Sequence, residues 1–154
     1  MPRKSAGILL YRFQKDGVEV FLVHPGGPFW VNKDNGSWSI PKGEYNDDED
    51  ALEAAQREFQ EETGLSIQGN FIELGEVRQP SGKRVMVWAL ENDQEVEDIR
   101  SNTFQLEWPP KSGKMQEFPE VDRGGWFSIP EARQKILKGQ IPFLDKLEEK
   151  IKTA

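Results

Sequence analysis

Cysteine is absent from the 154-residue chain, which removes disulfides and thiolate chemistry from consideration and is compatible with a reducing compartment. Histidine occurs once, and His24, closing an apolar run, reads as a strand-end residue rather than a base. Long apolar stretches are also missing. The N-terminal MPRKSAGILLYRF segment is too short for a signal-peptide core or a membrane span, and Arg12 interrupts it. A soluble, cytoplasmic protein is expected. Positive charge is in deficit, with a formal net charge of −7, which argues against capture of duplex nucleic acid. Internal repeats and low-complexity segments are lacking as well, and the length suits one domain over residues 1–154.

What the chain has in excess is acid, concentrated in GEYNDDEDALEAAQREFQEETGL, residues 43–65. Within it, Arg57, Glu58, Glu61 and Glu62 fall on about a turn and a half of helix, where i, i+3 and i+4 share a face. Like charges so spaced cost a bare helix a few tenths of a kcal/mol. Hard divalent cations relieve that repulsion, because carboxylate oxygens are the ligands Mg²⁺ and Mn²⁺ prefer. Bound cations also reconcile an acidic chain with an anionic substrate, since they invert the field that the bare carboxylates present to phosphates. Attack of water on a diphosphate linkage is chemistry that such ions assist.

The segment resembles the Nudix box at every fixed position: Gly43, Glu49, Arg57, Glu58, Phe59, Glu61, Glu62, Gly64 and Leu65. The preceding Trp38-Ser39-Ile40-Pro41-Lys42 is similar to the entry found ahead of many such boxes, and EFPEVDR at 117–123 resembles small stand-alone bacterial Nudix proteins described as nucleoside triphosphate pyrophosphohydrolases. The resemblance implies an α+β fold, a Nudix-type α/β/α sandwich with a mixed sheet, in which the box forms a loop-helix-loop. It implies Mg²⁺ or Mn²⁺ on Glu58, Glu61, Glu62 and the Gly43 carbonyl, with Glu58 or Glu61 as general base. Arg57 would orient the glutamates by ion pairing, Glu49 would buttress the loop, Gly64 would be structural, and Lys42 would contact phosphate. A further carboxylate from a later loop completes many such sites; Glu117 is the first choice here and Glu120 the second.

Along the chain, residues 6–13 and 18–24 flank a Lys15-Asp16-Gly17 turn and read as a hairpin. Residues 25–36 are a Gly/Pro/Asn-rich loop ending at a strand around Trp38. Asp47 and Asp48 are N-cap candidates for the box helix, whose apolar stripe is Leu52, Ala55 and Phe59 and which Gly64 stops. Strands are expected at 71–77 and 84–90 around a 79–83 turn, at 104–108, and at 125–129. Loop is expected at 109–113. A helix with Pro130 at its first position should run to Gly139, and a short one should follow over 142–152.

Substrate contacts are expected from Trp30, in the Gly/Pro loop, by stacking on a base, and from Arg78 and Arg84, which with Lys83 form a basic group near a turn. Trp38, Trp88, Trp108 and Trp126 are more readily core residues. The expected activity is metal-dependent pyrophosphohydrolysis of a nucleoside diphosphate derivative, a nucleoside triphosphate or dinucleoside polyphosphate first. Pro80, fifteen residues past the box, resembles a feature of ADP-ribose hydrolases, although a turn favours Pro there for backbone reasons. The entry segment instead resembles that of dinucleoside polyphosphate and diphosphoinositol polyphosphate hydrolases. A catalytically silent nucleotide-binding module is the alternative of another class, and it would be expected to lose a box carboxylate. The partner is a small-molecule nucleotide or polyphosphate, and the protein is a monomer or homodimer.

Overall fold

A computed structural model of the protein describes residues 3–96 and 99–152. The elements in chain order are β1 (Lys4–Gln14), β2 (Gly17–Pro25), β3 (Lys42–Glu44), α1 (Ala51–Thr63), β4 (Ile72–Arg78), β5 (Arg84–Glu91), β6 (Thr103–Glu107), β7 (Met115–Pro119), β8 (Val121–Ser128), α2 (Ile129–Lys135) and α3 (Ile141–Lys152). The main sheet runs β4-β5-β1-β2-β8, with β3 joined to β1. Its β1–β5 pair is parallel and its other pairs are antiparallel, so the sheet is mixed, as expected.

Alternation along β1 divides the core. Ala6, Ile8 and Leu10 pack with Phe21, Ala55 and Phe59 on the α1 side, while Leu9 and Tyr11 pack with Ala132, Phe143, Leu144 and Leu147 on the α2 and α3 side. The helix α1 therefore buries Phe59 completely and turns its acid away. Burial of such a ring is worth about 1.5–3 kcal/mol, against a few tenths for each like-charged pair on the other face. Packing holds the acidic helix in place.

The site is made possible by a split in the sheet. Strands β1 and β2 pair only from Gln14↔Gly17 to Tyr11↔Val20, and beyond that they diverge. Residues 39–44 enter the gap. Val23 and Ser39 exchange backbone hydrogen bonds of 2.9 Å, Ile8 N–H donates to Pro41 C=O at 3.2 Å, and β3 pairs with Ser5, Ala6 and Gly7. Gly7 permits the approach, because a Cβ there would lie 2.6 Å from the Pro41 oxygen. The strand expected around Trp38 is accordingly only a pair of bridges, Val23↔Ser39 and Trp38↔Ile136; the true strand comes at β3.

Other boundaries differ for local reasons. The N-cap of α1 is Asp50, not Asp47 or Asp48: its carboxylate accepts from Glu53 N–H at 3.0 Å, a reach open only to the residue directly before the helix, while Asp47 is taken by Lys4. Ser128 caps α2, which puts Pro130 at the second helical position. That helix ends at Lys135, because Trp38 N–H takes the Lys135 carbonyl at 2.9 Å and Leu137 N–H donates to Trp38 C=O at 2.8 Å, pulling Ile136 into an extended conformation. Gly139 falls in a separate 3-10 turn. The last strand starts earlier than expected, at Val121, since Gly124 clears space for the Phe21 ring, 2.6 Å from where a Cβ would stand. Strand β7 was not expected at all; it pairs with β6 in a ribbon separate from the main sheet.

Candidate functional site

The box loop and helix are stapled by one guanidinium. Arg57 pairs with Glu49, lies 3.2 Å from Glu58 Oε1 and 3.8 Å from Glu61 Oε1. The other Glu49 oxygen accepts from Asn46 N–H at 3.1 Å. These pairs are open to solvent and screened by it, so the network fixes orientation more than stability. Glu58 also crosses toward β3, where a Cβ on Gly43 would stand 2.0 Å from Glu58 Oε2. All three nearest atoms belong to the flexible Glu58 side chain, so that side chain gives way rather than the backbone. Gly43→Ala is therefore expected to displace the Glu58 carboxylate and to lower turnover with little change in melting temperature; unchanged turnover would show that the contact is dispensable.

Desolvation dominates the electrostatics. Glu62 is pushed up to about 8, chiefly by burial, with Lys42 opposing and Glu58 and Glu120 adding repulsion. Glu58 is raised by burial against the pull of Arg57, and Glu120 by burial and by Glu61. Lys42 is lowered, first by burial and then by the neighbouring Lys83, with Glu62 opposing. A cleft of about 200 Å³ joins Trp30, Lys42, Glu62 and Glu120, with Ser37 and Ser39 in its wall.

These residues are not preset as a cation cage. Among the described residues no three of His, Cys, Asp and Glu are grouped as a ready metal site. Arg57 pairs with Glu58 and Glu61, and Lys42 opposes the desolvation of Glu62. Their chemistry nevertheless fits a hard divalent cation: oxygen donors only, partly desolvated, carrying charge that burial and mutual repulsion disfavour.

Of the two later carboxylates, Glu120 faces the box glutamates, whereas Glu117 sits on β7 opposite Gln105, exposed. The difference follows from the pleat and from the stem of the ribbon. Asn102 N–H donates to the Glu61 carbonyl at 2.8 Å and Arg100 N–H to the Thr63 carbonyl at 2.7 Å, and Glu120 N–H donates to Asn102 C=O at 2.8 Å. The free carbonyls of the last turn of α1 thus dock the stem, and the stem brings Glu120 to Glu61. Gly64, left-handed at φ 74° with its N–H on Gln60 C=O, also leaves room for Arg100, whose carbonyl would be 3.0 Å from a Cβ.

Arg78 and Arg84 are cross-strand partners at the turn end of β4–β5, and Arg84 lies 3.9 Å from Glu76; Lys83, in the turn between them, is the one that neighbours Lys42. Trp30 lines the cleft, 40% exposed. Trp38 and Trp88 are buried, Trp126 stacks under Arg12, and Trp108 packs on Phe29. His24 is fully buried at the strand end, with Nδ1 2.9 Å from Asp122 and Nε2 2.7 Å from the Lys33 carbonyl. Ser39 and the Asn102 stem carry no local sequence signal, since each joins the site through contacts distant in the chain, Ser39 to Val23 and Asn102 to Glu61.

The family model described as the NUDIX domain matches residues 1–147, so the chain belongs to the Nudix family, whose hydrolases act on phosphoanhydride bonds and generally need divalent metal ions. Solved structures agree on the fold. A Caenorhabditis elegans Ap4A hydrolase in a binary complex superposes with a TM-score of 0.67 at 20% identity, covering 97% of this chain and 99% of that one. A mutT/nudix family protein from Listeria innocua gives 0.67 at 18%, covering 99% and 96%. The Nudix domain of Shewanella oneidensis NrtR, crystallised with ADP ribose, gives 0.67 at 14%, covering 98% and 89%. Comparison with curated protein sequences gives no match. No helix among the described residues is long and apolar enough to cross a membrane.

Proposed function

We propose that the protein is a pyrophosphohydrolase that cleaves a diphosphate linkage in a nucleoside diphosphate derivative, a nucleoside triphosphate or dinucleoside polyphosphate, with Mg²⁺ or Mn²⁺. The observation that carries this reading is the convergence on one cleft of the box carboxylate Glu62, the later carboxylate Glu120, a desolvated lysine and an exposed tryptophan. Those groups suit a cation, a phosphate chain and a base respectively. Retention of every box carboxylate disfavours a silent binding module. Glu58, Glu61, Glu62, Glu120 and the Gly43 carbonyl are the donors that would hold the cation. When bound, the cation would neutralise phosphate oxygens and make water more acidic.

The chain's own residues then divide the work. Lys42 and Lys83 stand together as two adjacent cations, a placement that an anionic phosphate stabilises, and Lys42 holds the chain at the cleft floor. Arg57 keeps Glu58 and Glu61 aligned, and one of these takes the proton from the attacking water. The experiment is a panel of nucleoside triphosphates, dinucleoside polyphosphates, ADP-ribose and diphosphoinositols assayed with Mg²⁺ or Mn²⁺ and again with excess chelator. Cation-dependent release of phosphate products from a triphosphate or dinucleoside polyphosphate is expected. Exclusive use of ADP-ribose or a diphosphoinositol would replace the proposed substrate, and no turnover anywhere would defeat the enzymatic reading.

A further inference from the structure

Among the described residues, the largely exposed bulky apolar side chains are Phe13, Phe29, Trp30, Val31 and Met115, and three of them are consecutive, at 60%, 40% and 59% exposure. Leaving three such groups in water forfeits the stabilisation that burial would give. The loop is not free to hide them. Gly26 N–H donates to the Glu120 carbonyl at 2.9 Å, Trp30 N–H to Gly27 C=O at 3.3 Å, and Lys33 N–H to Trp30 C=O at 2.9 Å. The far side is held by His24 on the Lys33 carbonyl and by Trp38 Nε1–H donating to Asp34 at 2.8 Å.

Behind this loop stands the β6–β7 ribbon. Phe29 meets Trp108 edge-on at 5.3 Å between ring centroids, and Phe104 pairs with Phe118 at 6.1 Å. Gly27, at φ 96°, lies under the Phe104 ring, 3.0 Å from where its Cβ would be. The ribbon thus props the exposed run in a fixed pose at the mouth of the cleft that Trp30 shares with Lys42, Glu62 and Glu120.

We infer that Phe29, Trp30 and Val31, backed by Trp108, form a wall on which the base of the substrate stacks while its phosphate chain runs toward Lys42. The occupant is a flat heterocycle rather than a protein partner, because Trp30, the middle member of the run, itself lines the cleft. Its exposed side chains offer ring faces and alkyl surface, with the Trp30 indole N–H as their sole hydrogen-bonding group. Such a surface senses whether a base is present and is largely indifferent to which base it is, since every base has a stacking face.

The inference rests on the polyphosphate reading of the cleft, and the test separates the two. Binding and turnover are measured for inorganic tripolyphosphate and for ATP, GTP, CTP and UTP. The four nucleotides are expected to agree within about threefold and each to bind about tenfold more tightly than tripolyphosphate, the scale of one stacked base. In the double variant Phe29→Ala, Trp30→Ala that gap should close, while Phe13→Ala, an exposed apolar change elsewhere, should preserve it. Equal binding of tripolyphosphate and nucleotides, or preference for one base above about a hundredfold, overturns the wall. Base-dependent binding without hydrolysis sinks only the enzymatic reading, and hydrolysis without base dependence sinks only the wall.

Discussion

Glu61→Gln should reduce kcat by about 10²–10⁴-fold, the range over which positioned acid–base groups act, with the fold intact. The substitution keeps side-chain size and an oxygen able to accept from Arg57, so what it deletes is the charge. Glu61 is half exposed, and its backbone carbonyl, which receives Asn102, is untouched. A surface change of this kind normally stays within about 0.5 kcal/mol in stability. Loss of turnover at constant melting temperature therefore reads as chemistry, and a fall in kcat with little change in KM places it in the transition state. Wild-type turnover in the variant would remove Glu61 from the reaction. Glu58→Gln is a less discriminating test, because Glu58 also packs against Gly43.

Glu62→Gln should stabilise the cation-free protein at alkaline pH. The folded protein holds this carboxyl protonated up to about 8, whereas its ordinary value is 4.5. Between those values the native state binds a proton that the unfolded chain has lost, so stability falls as pH rises through that window. Each pH decade is worth about 1.4 kcal/mol, which bounds the penalty at roughly 5 kcal/mol. The opposing pull of Lys42 is already contained in that value. Thermal melts in chelator at pH 5 and pH 8 should show wild type losing stability across the interval and Glu62→Gln losing much less. Added Mg²⁺ or Mn²⁺ should restore wild type most strongly at the alkaline end, by mass action on the native state, and should help the variant less. Parallel melting curves for the two proteins, with and without cation, would exclude the strained carboxylate.

The glutamate face of α1 was legible because its chemistry is local: spacing within one helix decides which side chains share a face, and no distant residue can change that. The pairing of Arg57 with Glu61 follows from the same i, i+4 geometry, whereas its pairing with Glu49, in the loop before the helix, was implied by the resemblance alone. The expectation of Glu117 ahead of Glu120 failed to match the placement because three residues along a strand and its exit reverse the direction a side chain points, and the reversal is set by the stem's hydrogen bonds to α1. Those bonds join positions some forty residues apart and have no periodic signature. The basic group shows the same limit: Lys83, Arg84 and Arg78 are neighbours around one turn, yet it is Lys83, in the turn itself, that neighbours Lys42.

The two segments that frame the cleft, the loop after β2 and the β6–β7 ribbon, each end close to where they begin. The loop after β2 comes back through the Val23–Ser39 exchange, and the ribbon is closed at its base by Asn102 and Glu120, with Val121 N–H donating to Ser101 Oγ at 3.0 Å. Each is a detour with a locked gate. Its length and sequence can be rewritten at little more than the logarithmic entropy of a longer loop, leaving strand register and helix untouched. A chain built this way can be refitted to a new ligand by exchanging one detour, and ribbon transplants between Nudix proteins are the natural place to begin.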